Sequence, residues 1–337
     1  MSALKNKHLW QEALSDLITD PEELLTSLEL DPALLDRARA AARAFPLKVT
    51  RGFAARMQKG NPDDPLLLQV LPLGMELNDM PGYTSDPLQE INVNPIPGLL
   101  HKYDGRVLVT LTSACAVHCR YCFRRHFPYE DNNPGMGGWE KIFAYIKQDK
   151  SISEVILSGG DPLSASDRLL KLFTDQLLQI PHVKRLRIHT RLPVVLPERI
   201  TEDFIHWISH IPFDKIMVIH VNHPNEINDD VRQAMQGLRN AGIHLLNQTV
   251  LLKRVNNNVN TLRTLSEVLF SAGVLPYYLH TLDKVHGASH FDITLREAQE
   301  LYAGMIKKLP GYLVPRLVCE EPGMSSKTLL STVLYTG

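Results

Sequence analysis

The chain lacks the features that would place it in or across a membrane. In its 337 residues no uninterrupted apolar run reaches the ~18 residues that a spanning helix needs. The opening Met1-Ser-Ala-Leu-Lys-Asn-Lys-His has no continuous apolar stretch, so no secretory signal is expected and the expected compartment is the cytoplasm. Charge of one sign is also missing: 36 Lys and Arg stand against 37 Asp and Glu. That balance recommends neither a nucleic-acid nor a membrane partner, and local basic runs such as Lys184-Arg-Leu-Arg187 read as solvated faces. Cysteine is scarce, with four residues. A chain this long can bury a full core without a disulfide framework, and three clustered thiols would not build one. Cys319, apart from the other three, is expected to be a buried, apolar-like residue.

What is present begins with helix signals. Asp20-Pro-Glu-Glu23 supplies an N-cap, a first-turn proline and two acids suited to a helix N-terminus. Asp31-Pro32 repeats the device before an alanine-rich run that Pro46 terminates, while Asn61-Pro-Asp-Asp-Pro65 and Asp79-Met-Pro-Gly82 read as turns. This region is expected to be a helical packing layer or a dimerisation arm. From Arg106 the pattern changes to strand-like apolar runs at 107–112, 153–158, 184–189, 215–221, 244–251 and 275–281. Helical periodicity separates them, as in the stretches 167–173 and 229–238. Successive β–α units of this kind argue for an α/β fold on a parallel sheet. Periodicity alone leaves a barrel and a doubly wound open sheet both standing.

The clustered thiols spell Cys115-Ala-Val-His-Cys119-Arg-Tyr-Cys122, directly after the run Val107-Leu-Val-Thr-Leu-Thr112. Iron–sulfur clusters are normally held by four thiolates. Three at this spacing would leave one iron open for a small molecule. The competing reading is a structural zinc site with His118 or His126 as fourth ligand, although zinc patterns usually separate two ligand pairs by a longer loop. Further along, Ser158-Gly-Gly-Asp-Pro162 closes a strand-like run. It reads as a tight turn in which Asp161 caps a helix and Pro162 follows at the first helical position. Gly159 and Gly160 would equally let backbone approach a ligand closely.

The C-x3-C-x2-C spacing after a first strand resembles the radical S-adenosylmethionine (SAM) superfamily, and Cys122-Phe-Arg-Arg-His126 resembles its lysine 2,3-aminomutase branch. Matching segments run from about Lys102 to Lys327. Asn61-Pro-Asp-Asp-Pro65 and Pro97-Gly-Leu-Leu-His-Lys-Tyr103 resemble the short bacterial form, which supplies (R)-β-lysine for modification of translation elongation factor P. The resemblance implies a partial (β/α)6 TIM-like barrel over 96–310. A helical region over 1–95 would precede it, and a segment over 311–337 carrying a cofactor lysine would follow. It also implies three cofactors: a [4Fe–4S] cluster, SAM and pyridoxal 5′-phosphate (PLP).

Site residues follow from the same resemblance. Cys115, Cys119 and Cys122 would ligate the cluster, with Ser158, Gly159, Gly160, Asp161, His220 and Gln248 around SAM. Lys327, in Pro322-Gly-Met-Ser-Ser-Lys-Thr328, matches the lysine that holds PLP; Ser326 stands where a phosphate-cradling P-loop needs glycine. Such a lysine must shed its charge to attack an aldehyde. Lys102 and Arg106 match phosphate ligands, Lys102 with a point charge where arginine is more usual. Tyr103 would contact the cofactor ring. Arg124 would clamp the substrate carboxylate, a planar anion suited to a guanidinium. Asp283 and Glu320 would face the distal ammonium of lysine, Glu320 standing where aspartate is common. For Asp283, an ion pair with Lys284 or His286 is the structural alternative. The implied activity is radical conversion of L-lysine to β-lysine, with an external electron donor and, by analogy only, a link to elongation factor P and its ligase. The remaining readings are an aminomutase for another cationic amino acid, a radical SAM enzyme without PLP, and a zinc-stabilised binding module.

Overall fold

The computed structural model describes residues 9–132 and 135–330. The opening Met1–His8 and residues 331–337 of the C-terminal segment lie outside them. The N-terminal signals form the expected caps. Asp20 accepts from the Glu22 amide at 2.9 Å at the head of helix Pro21–Ser27. Asp31 does the same for Ala33 at 2.9 Å, opening a turn that leads into helix Leu35–Ala44. That helix ends two residues before Pro46.

Nine strands form one sheet in chain order. They are β1 (Leu99–Tyr103), β2 (Arg106–Thr112), β3 (Glu154–Gly159), β4 (Arg185–Thr190), β5 (Asp214–His220), β6 (His244–Val250), β7 (Leu275–His280), β8 (Arg316–Cys319) and β9 (Thr328–Leu329). From β2 to β8 every neighbouring pair is parallel, while β1 and β9 pair antiparallel at the two ends. A doubly wound sheet would reverse its strand order at a switch point. Here each strand joins the same side of the last, so the sheet curls into a partial barrel. Helices Gly135–Gln148, Asp167–Leu177, Glu202–Ser209, Asp229–Asn240, Val259–Ser271 and Leu295–Lys308 connect successive parallel strands from β2 to β8. These are six β–α units, as expected. β1, β8 and β9 were not legible as strands because they are short and lack an uninterrupted apolar run.

Ser166, Thr201, Asn228, Asn258 and Thr294 cap the last five of those helices, each side chain accepting from a first-turn amide. Such a cap is typically worth about 1 kcal/mol. The strand residues sort by alternation. On β4, Leu186 and Ile188 are buried under the helices, while Arg187 and His189 face an interior cavity. The interior of this barrel is therefore a site rather than a hydrocarbon plug.

The N-terminal region packs on the barrel through one continuous core in which Trp10, Leu24 and Phe53 join Leu170, Val194 and Val195. Thr50 donates its hydroxyl to the Val195 carbonyl, and Arg56 donates Nη2 to the Val194 carbonyl at 2.6 Å. Among the described residues no helix is long and apolar enough to cross a membrane. Cys319, expected to be buried, is half-buried at the end of β8, where its thiol lies 3.6 Å from Glu321 Oε1.

The tightest backbone approach lies where β3 ends. Gly159 has φ +115°, and a Cβ at Gly160 would sit 2.5 Å from the Ala114 carbonyl oxygen and 2.6 Å from the Ser113 carbonyl carbon. The Gly160 amide donates to Thr112 O and the Asp161 amide to Ala114 O, each at 2.8 Å. The glycines thus let the β3 turn lie directly against the segment that leads into the three cysteines. We expect Gly160→Ala to force that segment away at a cost of about 1–3 kcal/mol, the range for overpacking. Thermal unfolding and bound iron per chain after anaerobic reconstitution should both fall; wild-type values in both would remove the close approach as the reason for glycine.

Candidate active site

All sixteen residues singled out above line one cavity of about 850 Å³ inside the barrel. The three cysteines sit on an irregular loop after β2. Such a loop cannot satisfy its own backbone, and the N-terminal region does so instead. The His118 amide donates to Lys48 O and the Arg120 amide to Gln69 O, each at 2.9 Å. Arg120 sends Nη1 to Leu68 O at 2.8 Å and Nε to Glu76. This N-terminal region is therefore the packing layer that holds the cysteine loop.

Arg191, just beyond β4, was not singled out from the sequence. Its Nη1 donates to Cys119 Sγ at 2.7 Å, and its Nη2 to Gln69 Oε1 at 2.7 Å and Glu226 Oε2 at 2.9 Å. A buried guanidinium needs such partners, since breaking a buried pair costs about 3–5 kcal/mol. Burial drives the Cys115 thiol well above its usual range and that of Cys122 up to about 11. Metal binding would remove those protons. Neither proposed zinc histidine joins the thiols. His118 Nδ1 lies 2.8 Å from the Pro46 carbonyl, and the His126 ring packs edge-on against His286 at 6.4 Å. Among the described residues no three His, Cys, Asp or Glu side chains converge as a single metal ion requires. A cube of four irons takes its thiolates at separate corners, so thiols set apart around one cavity suit the cluster better than zinc.

Asp161 caps the turn Pro162–Ser164 through Leu163 N at 3.0 Å. The same carboxylate accepts from Thr190 Oγ1 at 2.6 Å, Arg191 N at 2.7 Å and Leu192 N at 3.0 Å. It ties the end of β3 to the end of β4 and so positions Arg191. Arg124 makes one hydrogen bond through each of its three nitrogens. Nε and Nη2 each lie 2.7 Å from a different oxygen of Glu90, and Nη1 is 2.9 Å from Ser158 Oγ. Glu90 comes from a turn of the N-terminal region and carried no sequence signal. His220 lies at the end of β5 with its ring 6.0 Å from that of His189, and Gln248 Nε2 is 2.9 Å from His280 Nε2. Burial, aided by nearby cations, lowers the pKa of His220 to about 4 and of His280 to about 3. All three rings are therefore neutral and serve as hydrogen-bonding groups rather than cations.

At the other side of the cavity Glu320 gathers three groups. Lys327 Nζ pairs with its Oε2, while Lys102 Nζ at 2.8 Å and Tyr103 OH at 2.7 Å both meet Oε1. Burial alone would raise the Glu320 pKa, but Lys327 and Lys102 overcome it and hold the carboxyl below its ordinary range. Lys102, expected at a phosphate, thus meets a carboxylate here. Arg106 lies over the Tyr103 ring, 4.7 Å from its centroid. Asp283 is half-buried, and no ion pair to Lys284 or His286 forms among the described residues. Burial, then the nearby Glu320 charge, pushes its pKa up to about 7. Lysine nitrogen, cations and aromatic faces lining one wall suit a phosphorylated aldehyde cofactor, and three thiols beside a buried cation suit the cluster.

The model of the Radical SAM superfamily matches residues 109–265. The chain is 48% identical to the L-lysine 2,3-aminomutase of Escherichia coli (strain K12) over 96% of this chain and 95% of that protein. It is 46% identical to the L-lysine 2,3-aminomutase of Haemophilus influenzae, covering 97% and 96%. The L-lysine 2,3-aminomutase of Clostridium subterminale is 34% identical over 95% of this chain and 77% of its own length. At this identity over nearly the whole length, the chain belongs to the L-lysine 2,3-aminomutase family of radical SAM isomerases.

Proposed function

We propose that the protein converts L-lysine to β-lysine, of R configuration, in a PLP-dependent reaction in the cytoplasm. The observation that carries this reading is the meeting, in one cavity, of the three cysteines with Lys327 and two half-buried acids, Glu320 and Asp283. Cys115, Cys119 and Cys122 would hold a [4Fe–4S] cluster whose open iron binds SAM, and Lys327 would hold PLP. When bound, the cluster and SAM supply a hydrogen-abstracting radical, and PLP supplies stabilisation for the nitrogen that moves from Cα to Cβ.

The chain's own residues bind and orient. Arg124, fixed by Glu90 and Ser158, presents its remaining N–H edge to the substrate carboxylate. His220 and Gln248 line the wall between the cysteine loop and Lys327, where neutral donors and acceptors suit SAM. Glu320 and Asp283 take the distal ammonium and select lysine over glutamate, whose carboxylate they repel. The enclosing helices and the N-terminal layer keep water from the site. One-electron chemistry needs an external donor. We infer from the resemblance to the short bacterial form that the product serves elongation factor P and its ligase, an analogy of family rather than of geometry.

The decisive assay supplies anaerobically reconstituted protein with PLP, SAM, reductant and L-lysine, followed by chiral chromatography. Formation of (R)-β-lysine is expected; SAM cleavage without β-lysine would reject the substrate. Lys327→Ala should abolish β-lysine formation while leaving SAM cleavage measurable, and normal turnover in that variant would overturn the role of Lys327.

Asp283 adds a pH dependence. With its pKa raised to about 7, the free protein loses this negative charge as pH falls through neutrality. The substrate's distal ammonium, with a pKa near ~10.4, stays charged throughout. Glu320, Lys327, Glu90 and Lys102 surround the group, and none of them changes the sign. We expect kcat/KM for lysine to fall as pH drops from 8 to 6, by up to roughly tenfold per unit below the pKa. Asp283→Asn should show a low, flat profile over that range; retention of the wild-type slope would assign the titration elsewhere.

A further inference from the structure

Anion binding is best served by cations without a carboxylate partner, and most cations of this cavity have one. Lys102 and Lys327 share Glu320. Arg124 is paired with Glu90, Arg187 with Glu154 and Arg191 with Glu226. Arg125 has no carboxylate partner among the described residues, but it belongs to the cysteine loop. There it lies over Phe45, 3.9 Å from the ring centroid, and donates to Arg120 O. Two guanidinium groups remain, Arg106 and Arg316, neither of which forms an ion pair among the described residues.

These two stand at matching places in the fold. Arg106 is the first residue of β2 and Arg316 the first of β8, so both lie at the same end of the parallel barrel. Alternation along β8 turns Arg316, Val318 and Glu320 into the cavity. A continuous set of contacts joins the pair through the lysine. Arg106 covers Tyr103, whose hydroxyl meets Glu320 at 2.7 Å. Glu320 holds Lys327, whose Nζ lies 5.7 Å from the centre of the Tyr278 ring. Tyr278 is the register partner of Arg316 on the next strand. Tyr103 and Glu320 on one side, and Tyr278 on the other, thus link Lys327 to two guanidinium groups without carboxylate partners, both at strand starts of the barrel.

We propose that Arg316 is a phosphate-binding residue, acting with Arg106 to hold the phosphate of the PLP carried by Lys327. This rests on the PLP reading above and adds to it a residue that the resemblance did not supply. A guanidinium fork matches phosphate geometry, whereas Lys102 is a point charge committed to Glu320. Arg316 is exposed at a strand start, and among the described residues its side chain forms no ion pair that its loss would strand, so its replacement is expected to leave the fold intact.

The test compares PLP with pyridoxal, which lacks the phosphate, by titrating each into cluster-reconstituted full-length protein and following the absorbance of the lysine-bound cofactor. Arg316→Leu should weaken PLP binding about tenfold to a hundredfold, as expected for loss of a charge-assisted hydrogen bond. Pyridoxal binding should not change, and Arg316→Lys should recover part of the PLP affinity. Equal PLP affinity in wild type and Arg316→Leu would overturn the proposal, as would an equal loss for PLP and pyridoxal. An absorbance band absent from wild type, or persisting in Lys327→Ala, would instead remove the PLP reading on which the proposal stands.

Discussion

Three thiols that must stay in fixed places on an irregular loop are the constraint around which this protein is arranged. The loop has no ladder of its own and closes only a few turn bonds such as Cys122 N to Cys119 O, so its other buried groups find partners outside it. The β3 turn supplies one side, and can do so only because Gly160 carries no Cβ. The N-terminal layer supplies the other, through Lys48, Leu68, Gln69 and Glu76. Arg191 then fastens the loop to the barrel by joining Cys119 to Glu226. Helical segments that carry no chemistry are for this reason part of the active site's architecture.

The same logic of compensation governs the rest of the cavity. A low-dielectric pocket holds bare charges only at high cost, so most of its acids and bases occur in matched sets. Glu90 neutralises Arg124 while leaving part of its donor edge for a ligand. Glu320 pairs with two ammonium groups at once, so this trio keeps one net positive charge. Asp283, with only a distant share of those cations, lies near the midpoint of its titration at neutral pH. The histidines resolve the problem differently, by staying uncharged. Each local arrangement keeps net charge low until an ionic substrate or cofactor arrives.

Much of the fold was legible because its signals are local. The six long strand-like runs became β2 to β7, since buried parallel strands need continuous apolar sequence. Asp20 and Asp31 capped where their proline neighbours said they would. β1, β8 and β9 escaped notice because short strands at a sheet's ends draw their stability from pairing rather than from composition. Asp161 shows how one residue can satisfy a local reading and a tertiary one together: it caps its own turn and also anchors the next strand's end.

The sequence by itself determined the chemistry's vocabulary: thiols at a three-iron spacing, a lysine downstream of the barrel, acids and arginines in motif positions. Those are matters of covalent order, and covalent order is what a sequence records. Only the tertiary structure decided which charge answers which. Arg191 and Glu226 meet across 35 residues, Lys102 and Glu320 across 218, and Arg124 finds Glu90 across 34. No spacing rule reaches over such separations. Their meeting depends on the strand order that rolls the end of β1 within reach of the residue after β8, and on the N-terminal region packing against the barrel. That is also why Arg316 was silent in the sequence: a lone arginine becomes notable only when most cations of its cavity are found to have carboxylate partners.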